Sequence, residues 1–115
     1  EMESYTKSQQ NMPDHLKYLV HYINNNFTHE LSLEFLSDFF NISKYHLCRS
    51  FKKYTGFTLN DYITQLRLEQ AKELLRTTTL PVNKICFAVG INDENYFYRL
   101  FKKHIGLSPL KYRKS

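Results

Sequence analysis

The sequence has only three glycines and two cysteines, and each scarcity removes a class of function. Three widely separated glycines cannot build a GxGxxG turn or a phosphate-binding loop, so a nucleotide cofactor has no cradle. Cys48 and Cys86 form no CxxC, and the histidines at 15, 21, 29, 46 and 104 pair with no cysteine or carboxylate at ligand spacing, so no metal or redox centre is expected. No nucleophile and base stand in a catalytic pattern, and the chain is not expected to be an enzyme. No apolar run approaches the roughly eighteen residues of a membrane-spanning helix. The opening EMESYTKSQQNM has neither the basic nor the apolar region of a signal peptide, and a cytoplasmic location with no membrane partner is the expectation.

What remains is 115 residues with 42% apolar content, enough for one domain or two very small units. The first residue is Glu, and the polar stretch 1–12 reads as a leader or linker left from a larger parent protein. The formal charge of +5 is unevenly placed. Ser43–Gly56 carries Lys44, Arg49, Lys52 and Lys53 with no acid, and Asn92–Ser115 carries six basic residues against Asp93 and Glu94. Each segment therefore holds +4, and the remainder of the chain is net −3. Such segregation points to an anionic polymer as partner.

The apolar spacing predicts an all-α chain of about seven helices. A first helix runs from about Pro13 to Asn26, with Leu16, Leu19, Val20, Ile23 and Phe27 at helical spacing. Ser32 caps a second, which carries Leu33, Leu36, Phe39 and Phe40; Asn41-Ile42 makes a corner, and Ser43 caps a third that ends at Gly56. Thr58, with Asp61 three residues on, starts a long helix to about Arg76. Its first half places Leu59, Tyr62, Ile63 and Leu66 on one stripe, and its second half places Leu68, Ala71 and Leu75 roughly 140° around the axis, so one helix of about 27 Å serves two cores. Pro81 opens the next helix, with Val82, Ile85, Cys86 and Val89 on one face and Gly90 after it. Asp93 or Asn92 caps the sixth, Gly106 closes it, and Ser108-Pro109 starts a last short one.

The second half repeats the first. At an offset of fifty, Arg49/Arg99, Phe51/Phe101, Lys52/Lys102, Lys53/Lys103, Gly56/Gly106, Thr58/Ser108 and Tyr62/Tyr112 coincide. Upstream an offset of forty-nine pairs Leu33/Val82, Leu36/Ile85, Phe40/Val89 and Ile42/Ile91. Helix, tight corner, basic helix, glycine is the layout of a helix-turn-helix. The chain is accordingly expected to divide into a leader at 1–12, a first helix-turn-helix subdomain at 13–57, a linker helix at 58–78 and a second helix-turn-helix subdomain at 79–115.

At about 100° per residue, Tyr45, Cys48, Arg49 and Lys52 share one face of the third helix, with Leu47, Phe51 and Tyr54 nearly opposite. On the sixth, Asn95, Tyr98, Arg99 and Lys102 oppose Phe97, Phe101 and His104. Arginine can bond guanine O6 and N7, and asparagine adenine N6 and N7, so Arg49, Arg99 and Asn95 have the chemistry of base readers. Tyr45 can pack on a thymine methyl or bond a phosphate. Cys48 reads equally as a neutral spacer, and Glu94 as a helix N-terminal acid or an acceptor for cytosine N4. His46 reads as packed or phosphate-facing. Lys52, Lys53, Lys102 and Lys103 read as solvated charges or as phosphate contacts that carry affinity without sequence information.

ISKYHLCRSFKKYTGFTLNDYI and LLRTTTLPVNKICFAVGINDENYFYRLFKKHIGLSPLKYR resemble the two helix-turn-helix motifs of the AraC/XylS family of bacterial transcription regulators. The likeness spans about Pro13 to Lys114, and its second-motif signature is specific: P-V-x-x-I, V-G, Y-F-x-R-x-F-K-K-x-x-G, S-P-x-x-Y-R. Ile91 stands where the family usually has Phe, and Glu94 where neutral residues are common. The resemblance implies sequence-specific binding of double-stranded DNA by a regulator, commonly an activator, with two recognition helices in adjacent major-groove segments joined by the long helix. It implies base contacts at Tyr45, Cys48, Arg49, Glu94, Asn95 and Arg99, and with the flanking basic residues it suggests backbone contacts at Lys44, Lys52, Lys53, Tyr98, Lys102 and Lys103. RNA polymerase as a partner and an effector-binding or dimerisation domain on the N-terminal side belong to the same expectation. The competing reading is a protein-interaction module whose basic faces dock an acidic partner, with the 16% aromatic content and Phe87 as its support.

Overall fold

The computed structural model describes residues 12–115. Seven helices occur among them, and no strand: α1 Asp14–Asn26, α2 Leu33–Phe39, α3 Lys44–Thr55, α4 Leu59–Thr77, α5 Val82–Ala88, α6 Glu94–Ile105 and α7 Pro109–Lys114. The expected leader at 1–12 lies outside the described residues except for Met12, whose side chain is buried. The chain divides into two compact units. Of the described residues, one comprises those up to Asn26 together with Leu31–Thr64; the other comprises Phe27–Glu30 and Gln65–Ser115.

Local chemistry sets most of the helix ends. The Ser32, Ser43, Asp93 and Ser108 side chains each accept the backbone N–H three residues on, which satisfies a donor that the first turn leaves orphaned. Thr58 does the same for Asp61 N–H ahead of α4. α3 and α6 both stop at a left-handed glycine, Gly56 at φ 83° and Gly106 at φ 92°, whose N–H returns to the carbonyl of Lys52 or Lys102.

In the first unit the buried apolar positions of the helices are Leu16, Leu19, Val20 and Ile23 of α1, Leu36 of α2, Leu47 and Phe51 of α3, and Leu59, Tyr62 and Ile63 of α4. The second unit buries Leu68, Ala71 and Leu75 of α4 with Val82, Ile85, Cys86, Val89, Ile91, Phe97 and Phe101 in one cluster. The two stripes read from α4 thus fall into two cores. The repeat is three-dimensional as well. Phe51 meets the Tyr62 ring edge-on at 5.3 Å, and Phe101 meets Tyr112 edge-on at 5.6 Å, each contact adding about 0.5–1.5 kcal/mol beyond burial.

The corners repeat too. Ser37 Oγ donates to the Ile42 carbonyl at 2.7 Å, and forty-nine residues on Cys86 Sγ donates to the Ile91 carbonyl at 3.0 Å. Asn41 takes the left-handed turn at φ 53°, where Gly90 takes it at φ 98°. Asparagine tolerates that conformation, but position 90 has no room for a side chain: a Cβ there would lie 2.7 Å from the Thr28 carbonyl oxygen. The loop that supplies this oxygen is held by Arg67, which donates from Nε to the Phe27 carbonyl at 2.7 Å and from Nη2 to the His29 carbonyl at 2.9 Å. Arg113 bonds the Leu75 carbonyl in the last turn of α4 and the Thr78 carbonyl just beyond it in the same two-pronged way, both at 3.1 Å.

Three side chains depart from the helical-wheel expectation. His104, placed with Phe97 and Phe101, is exposed: the neighbouring Ile105 packs against the core instead, and the imidazole lines a groove with Gln65, Glu69 and Lys72. Tyr98, placed on the polar side, is half-buried against the second core. Phe39 is 58% exposed rather than packed inward, and joins Tyr22, Phe35 and Phe40 in an aromatic cluster with ring centroids 5.1 to 6.3 Å apart.

Gly90→Ala is expected to destabilise the protein by about 3 kcal/mol or more, from left-handed strain plus the clash. Gly56→Ala and Gly106→Ala meet open space and should lose only the strain, about 1–2 kcal/mol each, a ranking that urea denaturation measures directly. A second expectation concerns pH. Burial, reinforced by the Glu94 and Asp93 charges, pushes the Cys86 thiol up to about 11. The unfolded thiol ionises first as pH rises, so this contribution is complete below its ordinary value of 9.0 and is lost towards 11. Cys86→Ser keeps the donor without the titration; its stability relative to wild type should improve between about pH 8 and pH 10.5.

Candidate nucleic-acid interface

α3 buries Leu47, Phe51 and Thr55, and that choice turns Lys44, Tyr45, His46, Cys48, Arg49, Lys52 and Lys53 outward. α6 buries Phe97 and Phe101 and exposes Glu94, Asn95, Tyr96, Arg99, Lys102 and Lys103. Eleven of the twelve residues singled out from the sequence are therefore at the surface, and Tyr98 is the half-buried exception, its ring edge-on to Phe97. Within the first unit, Tyr45, Cys48, Arg49, Lys52 and Lys53 line one open concavity. The second presents Asn95 and Arg99 one helical turn apart at the start of α6, where Asp93 holds the first turn by accepting from Tyr96 N–H at 3.1 Å.

The basic groups differ in how they are engaged. Lys44 pairs with Glu34 at 3.2 Å, an exposed ion pair of little consequence for stability. Lys52 Nζ reaches the Gly56 carbonyl at 3.4 Å and Lys53 Nζ sits 5.3 Å from the Tyr54 ring centre. Arg49 donates from Nη1 to the Tyr45 hydroxyl at 2.5 Å, with its Cζ 5.3 Å from the same ring's centre. Arg99 lies over the Tyr96 ring at 5.8 Å. Among the described residues the ion pairs are Lys44–Glu34, Lys72–Glu69 and Arg76–Glu73, so no carboxylate neutralises Arg49, Lys52, Lys53, Arg99, Lys102 or Lys103. Unneutralised cations on an exposed helix face can bond phosphate oxygens, and the two guanidinium forks can bond base edges.

The described residues hold no group of three or more His, Cys, Asp or Glu placed to bind a metal ion. Among them, no helix is long and apolar enough to cross a membrane. Sequence reading missed Tyr96 as a neighbour of Arg99, although the i, i+3 spacing on an exposed helix face was a usable signal. It also missed Phe35 and Tyr22 in the aromatic cluster, which arises from pairing between α1 and α2.

Residues 36–115 match the family described as a helix-turn-helix domain. The chain is 41% identical over 108 residues to the bifunctional transcriptional activator/DNA repair enzyme AdaA of Bacillus subtilis, a match that covers 92% of this chain and 51% of that protein. It is 34% identical over 110 residues to the HTH-type transcriptional activator RhaS of Escherichia fergusonii, covering 96% of this chain and 40% of the relative. This chain thus spans about half the length, or less, of these curated relatives. Among solved structures, the C-terminal domain of AraT, a response regulator from Geobacillus stearothermophilus, superposes with a TM-score of 0.86 at 35% identity, covering 90% of this chain and 86% of that one. The C-terminal domain of the two-component response regulator yesN from Fusobacterium nucleatum gives 0.83 at 35% identity, covering 88% and 99%.

The two thiols should behave oppositely. Cys48 is exposed and Cys86 buried, so a thiol reagent at neutral pH is expected to modify Cys48 alone in the native protein and both residues after denaturation, as intact mass and peptide mapping would show.

Proposed function

This chain belongs to the AraC-type family of helix-turn-helix proteins, and from that premise we propose that it binds double-stranded DNA sequence-specifically as the DNA-binding part of a bacterial transcription regulator, commonly an activator. In this reading α3 and α6 are the recognition helices, each entering a major-groove segment. Arg49 and Arg99 bond guanine, Asn95 bonds adenine, and Tyr45, Cys48 and Glu94 face the neighbouring base edges. Lys44, Lys52, Lys53, Tyr98, Lys102 and Lys103 contact the backbone. The observation that carries it is the duplication of one device: in both units a buried phenylalanine turns an arginine and two lysines outward, and no acid neutralises Arg49 or Arg99 among the described residues.

The same reading places the protein in the cytoplasm, gives it RNA polymerase as a partner, and adds an effector-binding or dimerisation domain on the N-terminal side. That relatives run to about twice this length supports the last point. Catalysis has no part in it. The relatives are named mainly as regulators, and the chain covers 51% of AdaA, whose name also includes repair.

Arg49→Ala and Arg99→Ala are each expected to weaken binding to a selected duplex by about 1–3 kcal/mol and to relax preference at one position, with little change on scrambled DNA. Lys53→Ala and Lys102→Ala should weaken all duplexes alike and lower the salt slope by about one. Titrations at several salt concentrations check both. Equal losses for the arginine variants on selected and scrambled duplexes would remove the base-reading assignment.

A further inference from the structure

The two readers hold their arginines differently, and the geometry points to Tyr45 as the residue that sets how strongly α3 discriminates its base pair, by competing with the base for the Arg49 guanidinium. This rests on the DNA-reading assignment above and goes beyond it. Tyr45 lies four residues before Arg49, and its hydroxyl accepts from Arg49 Nη1. A guanidinium reads guanine through two parallel N–H groups presented to O6 and N7. Nη1 is one of the two nitrogens that an end-on approach to guanine uses, so that approach competes with the Tyr45 hydroxyl for it, while the side-on pair Nε and Nη2 stays uncommitted.

Arg99 carries no such commitment. The residue four before it is Asn95, whose side chain has no aromatic face, and the ring near Arg99 belongs to Tyr96, three residues before. That contact, 5.8 Å from Cζ to the ring centre, is face-on attraction between a cation and a ring and consumes no N–H. Tyr96 is 41% exposed, and its own N–H is bonded to the capping Asp93, which fixes the platform's place on α6. Arg99 is thereby oriented with its fork intact, with Asn95 free beside it. α6 is the more discriminating reader, α3 the damped one, and the Tyr45 hydroxyl is the damper.

The test uses duplexes selected from a random pool with the wild-type chain, followed by affinities for every single-base-pair variant of that duplex at one salt concentration. Tyr45→Phe keeps the ring and removes the hydroxyl, and at 69% exposure the side chain has no part in the core. Discrimination at the base pair read by Arg49 is expected to rise about 2- to 10-fold, the worth of one hydrogen bond. The rise should vanish when Arg49→Ala is added. Tyr96→Phe removes a hydroxyl that the Arg99 contact does not use and should change discrimination by less than about twofold. Tyr96→Leu removes the platform and should lower discrimination at the base pair read by Arg99. Discrimination that is unchanged or reduced in Tyr45→Phe overturns the damping role and assigns that hydroxyl to the DNA or to nothing. A wild-type chain that selects no duplex overturns the DNA-reading assignment and the damping role together.

Discussion

Phe51 and Phe101 are wholly buried, and the orientation of everything else on α3 and α6 follows from that. Burying a phenylalanine side chain is worth roughly 1.5–3 kcal/mol, more than any of the exposed charges nearby can contribute. A helix rotated to hide Phe51 has no freedom left for Arg49, two residues before it, or for Lys52 and Lys53 immediately after. They must face water. The left-handed Gly56 and Gly106, five residues beyond each phenylalanine, end both helices at the same point of the repeat. The recurring F-K-K-x-x-G frame therefore encodes both an anchor and the direction in which the cations point.

The two copies share a corner device and realise it with different atoms. A donor at position 37 or 86 ties down the carbonyl five residues later, through serine in one copy and cysteine in the other. The left-handed residue is asparagine in one and glycine in the other, and packing decides between them: only at position 90 does another backbone, at Thr28, approach within 2.7 Å of where a side chain would begin. Burial then gives the cysteine corner a property that the serine corner lacks, a thiol held protonated well above its ordinary range.

How legible all this was in the chain depended on whether the deciding contacts were local. The seven helices, their caps and the double stripe of α4 came from spacing alone, since capping and amphipathic burial act within a turn or two. Wheel arithmetic failed where a helix ends or is short. His104 sits in the last turn of α6, where the neighbouring Ile105 takes the place against the core. Phe39 ends a helix of only seven residues, which fully buries Leu36 but leaves its aromatic side to meet Tyr22. The arginine brackets were invisible for another reason: Arg67 and Arg113 bond carbonyls 35 to 40 residues away, and nothing in a local pattern marks those acceptors. At the candidate site the arginines were legible from the repeat, whereas Tyr96 was legible only from its i, i+3 spacing to Arg99, because the copies do not match there: His46 occupies the corresponding position in the first.

The chain thus uses arginine in two physically separate ways. Arg67 and Arg113 are part-buried, each satisfying two carbonyls at or just past a helix end; burial draws the Arg67 pKa below its ordinary value while Tyr96 opposes the shift. A charge taken out of water needs such partners, and losing the guanidinium would orphan both carbonyls. Arg49 and Arg99 are exposed, lie against aromatic rings, and have no carboxylate partner among the described residues. Charges in that setting contribute almost nothing to folding, so residues there can change with little penalty to stability. A scaffold whose stabilising cations are part-buried and whose proposed reading cations are solvated can therefore alter those exposed residues without altering how it folds.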